Sequence, residues 1–216
     1  MGFVNSAEGS FTTTSTPTCP VPSGATSGQI AVATLFSTAN VSISTLPSGF
    51  TELAATTFNT TTGKTGILRR ARKVLSAADT GSYSFTLSGS NGGGVIWVGL
   101  WSGRDSSASQ FDFDVVHLDS GTTQPTAISG VASAGSDVLY SFSDFNGGTA
   151  VTVPGFTPRL NDTTLGMHLF TADAVVAGTI TAQSSATAAN QWWTSLLSIK
   201  AAPTGPPVGW PGEAWS

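Results

Sequence analysis

The sequence predicts an all-β protein. It reads as a single jelly-roll-like antiparallel β-sandwich of two pseudo-repeated halves, followed by an extended Pro/Gly-rich C-terminal tail. Three observations carry this. Only 9% of the 216 residues are charged, against about 25% in an ordinary soluble domain. Disorder needs low hydrophobicity together with high charge, and neither is present. The chain is rich in Thr, which is stiff at its first side-chain torsion and suits strands. It is equally rich in Ser and in its 25 glycines, which suit turns. Finally, apolar residues alternate with a period of two, and helical spacing is nearly absent.

The strands follow in order. Gln29 to Phe36, Phe50 to Phe58 and Thr65 to Leu75 come first. Ser82 to Leu87 places Tyr83, Phe85 and Leu87 on one face. Val95 to Trp101 is apolar on both faces, so it is expected to be covered on both sides. Ser136 to Phe142 aligns Val138, Tyr140 and Phe142, and Leu165 to Phe170, Val175 to Ala182 and Trp193 to Ile199 complete the set. Turn clusters separate them at Leu46-Pro47-Ser48-Gly49, Ser90 to Gly94 and Asn146-Gly147-Gly148.

Internal similarity gives the halves. Leu46-Pro47-Ser48-Gly49-Phe50-Thr51 recurs as Val153-Pro154-Gly155-Phe156-Thr157, and each half closes on a Trp-containing apolar strand. One half is expected to expose an apolar face that the other covers, with Ser102 to Thr126 joining the halves, giving one domain over residues 1–201 and a tail over 202–216. The prolines of the tail lack amide donors and cannot sit inside a sheet.

Chemistry is sparse. Net charge is −4, which argues against nucleic acid. Lys64, Arg69, Arg70, Arg72 and Lys73 cluster, reading as a positively charged edge strand or as a contact for an acidic partner. Cys19 is the only cysteine, so no internal disulfide forms. No stretch reaches the ~18 apolar residues of a membrane span, and no charged start with a long apolar run marks a signal peptide. There is no G-x-S-x-G elbow and no phosphate loop, and His117 and His168 lie on different strands outside any Cys/His cluster.

Asp112 and Asp114 sit two apart, which in a strand puts both carboxylates on one face with Phe111 and Phe113 pointing inward. They read as a solvated acidic strand or as ligands for calcium, the one cofactor expectation. Trp97 and Trp101 share a face and read as core. Trp192 and Trp193 are adjacent and face opposite ways, so one of them is a candidate sugar platform. Trp210 and Trp215, with Pro206 and Pro207, form a tail suited to docking on another subunit or folding back on its own sandwich.

One ordered set of residues carries a resemblance. After the turn Pro47-Ser48-Gly49-Phe50-Thr51 come Arg72-Lys73-Val74-Leu75-Ser76-Ala77-Ala78-Asp79, Tyr83-Ser84-Phe85, and Gly99-Leu100-Trp101-Ser102-Gly103-Arg104-Asp105. This resembles a pattern in bacteriophage structural proteins: minor tail proteins, tail or head fibre domains and capsid decoration proteins. It covers Gln29 to Asp105 well and the second half loosely. The chain departs from it at Trp101, where the pattern has Tyr, and by a Ser-Gly insertion before Arg104. The resemblance implies a jelly-roll or carbohydrate-binding-like sandwich and brings no catalytic residues.

The expectation is therefore a non-enzymatic virion surface protein, minor tail, fibre or capsid decoration. Its partners would be other phage virion proteins, without nucleic acid or membrane insertion, and in many copies or as a homo-oligomer. The alternative is a carbohydrate-binding module that contacts host cell-surface glycans.

Overall fold

The computed structural model describes residues 2–38, 41–59, 65–89, 93–107, 110–122, 124–144, 151–163, 168–185 and 190–203. Among them there is no helix, and the strands are β1 (Phe3–Phe11), β2 (Thr18–Pro20), β3 (Ile30–Ser37), β4 (Ile43–Thr45), β5 (Thr51–Asn59), β6 (Thr65–Val74) and β7 (Ser82–Ser84). They continue as β8 (Thr86–Leu87), β9 (Gly94–Trp101), β10 (Asp114–Thr122), β11 (Ile128–Asp144), β12 (Thr157–Asp162), β13 (His168–Ala182) and β14 (Asn190–Ile199).

Two five-stranded sheets dominate, ordered β1-β9-β3-β6-β5 and β10-β14-β11-β13-β12. All their pairings are antiparallel. Each sheet draws on one half of the chain. Counted among its own five strands, each sheet runs first, fifth, second, fourth, third. The small pairs β2-β7 and β4-β8 lie beside the first sheet.

Three apolar clusters explain why these strands are so apolar. In β3, Ala31, Ala33 and Leu35 face one cluster while Ile30, Val32 and Phe36 face another. The same split in β9 sends Ile96, Val98 and Leu100 one way and Val95, Trp97 and Trp101 the other. Both strands are buried along their whole length. A strand with two dry faces needs no polar alternation, as the sequence of Val95 to Trp101 implies.

The first cluster lies between the first sheet and its outer layer, using Cys19, Tyr83, Phe85 and Leu87. The second joins the two large sheets, with Leu139, Leu169, Trp193, Leu197 and Ile199 opposing the Trp97 face. The third covers the far face of the second sheet, where Ile128, Ala132 and Ala182 lie against Tyr140, Phe142 and Phe170. There β11 shifts register between Ala132 and Ser136, which bends its first segment away from the sheet plane.

The halves share local detail. Gly49 and Gly155, at the recurring turn, both have φ +81°, a conformation only glycine adopts without strain. Phe50 donates its amide to Pro47 and Phe156 donates to Val153, closing the same turn twice. The amides of Ser42 and Thr152 donate to the hydroxyls of Ser88 and Ser185 at 3.0 and 3.1 Å. Both of these seryl amides return a bond to the carbonyl opposite, at 2.9 Å.

Two sequence expectations are corrected here. The basic segment is not an edge strand, because β6 lies between β3 and β5. Arg70 is fully buried, Arg69 pairs with Glu52, and Lys64 lies outside the described residues. Residues 102–126 are not merely a connection, since β10 forms an edge of the second sheet.

Candidate functional site

The residues of the ordered motif converge. The turn at Pro47 to Phe50 leads into β5, Lys73 is next to last in β6, Asp79 follows that strand, and Tyr83 is in β7. Lys73 Nζ donates to Asp79 Oδ2 at 2.6 Å, and Tyr83 Oη donates to the same oxygen at 2.9 Å. The ammonium also sits 6.0 Å from the Phe50 ring centroid and 5.7 Å from that of Tyr83, a range in which a ring face attracts a cation. Phe50 and Tyr83 meet edge to face at 4.9 Å.

Burial alone would raise the Asp79 pKa, but the hydrogen bonds from Lys73 and Tyr83 outweigh it and hold the carboxyl below its ordinary range. Burial, then Asp79, push the Tyr83 hydroxyl up. At neutral pH the group is therefore a fixed carboxylate flanked by two donors, unsuited to general acid catalysis. It floors a cleft of about 590 Å³ whose walls include Leu46, Pro47 and Ser48. In the second half the matching turn borders another cleft of about 340 Å³, between Gln124, Thr152, Pro154 and Gln183.

No family model matches this chain, and no curated protein or solved structure matches it significantly. Its chemistry rests on its own geometry.

Among the described residues, three further ion pairs brace the sheets. Arg70 pairs with Asp114 between the two large sheets. Arg104 pairs with Asp137, both about 1% exposed at the side chain, and donates to the Gly135 carbonyl at 2.5 Å. Arg159 Nε donates to Asp173 at 2.5 Å and stacks over Phe3 at 4.0 Å, linking the second sheet to the first.

The structure reassigns several predicted sites. Trp192 and Trp193 do face opposite ways, but both are buried, at 1% and 0% exposure. Trp192 packs in the third cluster and Trp193 in the second, because β14 is an inner strand with both faces covered. Neither offers a face to a sugar.

Asp112 precedes β10, and Phe111 and Phe113 enter different clusters, so the single-face arrangement is not formed. Asp112 accepts from the Ser133 amide at 2.8 Å and from the Ser133, Ser136 and Ser198 hydroxyls at 2.6, 3.1 and 2.8 Å, with Lys200 Nζ at 3.5 Å. Asp114 turns to Arg70. The two carboxylates therefore serve separate networks and do not converge on one cation. Trp210, Trp215, Pro206 and Pro207 lie outside the described residues, as does the tail beyond residue 203.

These networks predict a pH dependence. Burial opposes ionisation of Asp112, but the bonds from Ser133, Ser198 and Ser136 win and bring its pKa to about 2. Its stabilising contribution is complete above its ordinary value of 3.8 and is lost as pH falls towards about 2. Asp137 acts in the opposite sense. Burial raises it to about 6 against the pull of Arg104, so the folded state keeps a proton that the unfolded chain has released. Stability from this group falls as pH rises from 3.8 to about 6 and is level above. Urea midpoints measured from pH 2 to 8 are expected to follow both limbs. Asp112→Asn should flatten the acid limb and Asp137→Asn the other.

Proposed function

We propose that this chain is a non-enzymatic structural protein on the surface of a bacteriophage particle, a minor tail, fibre or capsid decoration protein that docks to other virion proteins. The carrying observation is how the ionisable side chains are spent. Arg70–Asp114, Arg104–Asp137 and Arg159–Asp173 are internal pairs, and Asp79 and Asp112 are held as fixed carboxylates. A fold that commits its charges to holding layers together is suited to bearing load and presenting surface. The ordered resemblance from Gln29 to Asp105 supports the same reading.

We further infer that the two halves together form a jelly-roll-like sandwich and that the chain is an internal duplication. Three features support this: the identical strand order of the two large sheets, the twin turns at Gly49 and Gly155, and the matching Ser42–Ser88 and Thr152–Ser185 bonds. The large sheets pack back to back, so the two outer layers look in opposite directions. Such a body suits repetition on a particle, where many weak contacts add.

The test is immunogold labelling of purified particles with an antibody to this chain, together with mass spectrometry of their proteins. Regular labelling at a fixed copy number per particle is expected. A protein confined to the lysate, or one that depolymerises polysaccharide with loss of activity in Asp112→Asn or Asp114→Asn, would overturn the reading.

A further inference from the structure

The two clefts occupy related places. Each lies where the recurring turn meets the outer layer, and each takes a residue from the stretch after a left-handed glycine: Ser84 in the first, Thr181 in the second. These residues stand three places after Gly81 and Gly178, which share φ +79°. Because the outer layers face away from each other, so do the clefts.

Their linings share a chemistry. The first offers the Lys73 ammonium, the Asp79 carboxylate and the Tyr83 hydroxyl already fixed by one another, with Ser48 and Thr80 nearby. An anionic ligand would meet Asp79 and a cationic one would meet Lys73. A neutral ligand carrying both donors and acceptors satisfies both. Among the described residues, the second cleft has no charged side chain in its lining. Its carboxamides are fixed, since Gln183 Nε2 donates to the Pro125 carbonyl at 2.9 Å and Gln124 Nε2 donates to Ser184 at 3.4 Å. Both clefts carry a proline, Pro47 or Pro154, whose ring offers a small apolar face. Ordered polar groups, balanced charge and an apolar patch are what the hydroxyls and C–H face of a sugar ring require.

We propose that the two clefts bind uncharged hexose units of surface polysaccharide, one on each outer face. A single protein then bridges two glycan chains. The inference adds a ligand class to the surface-protein reading. Its assay uses the purified full chain, so it can fail while labelling of particles succeeds, and the reverse.

The experiment presents the chain to an array of neutral hexose oligosaccharides with sialylated and sulfated controls, then measures the best neutral probe by calorimetry. Two bound oligosaccharides per chain are expected. Tyr83→Phe should weaken one site and Gln183→Ala the other, each about tenfold for one lost polar contact. Thr80→Arg and Thr152→Arg, at exposed positions, fill each cleft without touching the core, so each should halve the stoichiometry with melting unchanged. Binding confined to charged glycans, no binding at all, or neutral binding that survives the combined Thr80→Arg and Thr152→Arg substitutions would overturn the assignment.

Discussion

Replacing Asp114 with Ala is expected to destabilise the protein by about 3–5 kcal/mol, because it strands a buried cation. Arg70 is fully buried between the large sheets, with its guanidinium 5.7 Å from the Trp193 ring. Asp114 meets Nη2, while Nε and Nη1 find no hydrogen-bond acceptor among the described residues. Burial pulls the Arg70 pKa down and Asp114 opposes it. Remove the carboxylate and the charge remains with only the ring face to offset it. The reverse truncation, Arg70→Met, is expected to cost less. It leaves an apolar chain among apolar neighbours, and Asp114 keeps 24% of its side-chain exposure and can recover water. Arg70→Met combined with Asp114→Leu should return most of the loss, since an apolar replacement of a buried pair is often neutral or better. Denaturant midpoints of the three variants decide it. An Asp114→Ala protein within about 0.5 kcal/mol of the parent, the range of an ordinary surface change, would show that the pair contributes nothing.

The fold was legible where one physical signal dominated. Val95 to Trp101 reads as a strand covered on both sides because seven apolar or glycine residues in a row leave no wet face, and β9 is buried throughout. The recurring Gly-Phe-Thr turn is visible because positive φ selects glycine. Strands that carry mixed residues were missed. β1, with the sequence FVNSAEGSF, alternates weakly because it lies at the edge of its sheet, half-exposed over most of its length. β10 is hard to see in the sequence because Asp114 and Asp119 break its apolar pattern, although the first of them is a partner for Arg70.

The site was less legible than the fold. Lys73, Asp79 and Tyr83 all lie in the motif quoted from the sequence, but their spacing does not reveal that Lys73 and Tyr83 donate to the same oxygen of Asp79. The burial of both Trp192 and Trp193 was unreadable for a related reason. Alternation tells which way a side chain points, whereas the cover over each face comes from segments far away in the chain. The outer cover on Trp192 includes Val151, Val153 and Phe156, some forty residues upstream.

Truncating the shared interior should do more than lower stability: it should uncouple the halves. Among the described residues, the first cluster draws only on residues up to Leu100 and the third only on residues from Phe113 onward, whereas the second holds side chains from both. Trp97 and Trp193 are buried in that second cluster, and Trp97 stacks edge to face on Trp101 at 6.0 Å. Trp97→Ala or Trp193→Ala removes a large indole and leaves a cavity, at a cost of about 3–5 kcal/mol each. The loss falls on contacts between the sheets while each half keeps its own core. The parent is expected to unfold in one calorimetric transition, and the Trp97→Ala, Trp193→Ala double variant in two, with van't Hoff enthalpies below the calorimetric total. Phe85→Ala is the control. It damages the first cluster alone, lowering the midpoint by a similar amount while the intact interface keeps the halves cooperative and the transition single. If the double variant still melts in one transition of matching enthalpies, the halves are a single cooperative unit, and the three clusters are one core that strand twist has divided in appearance only.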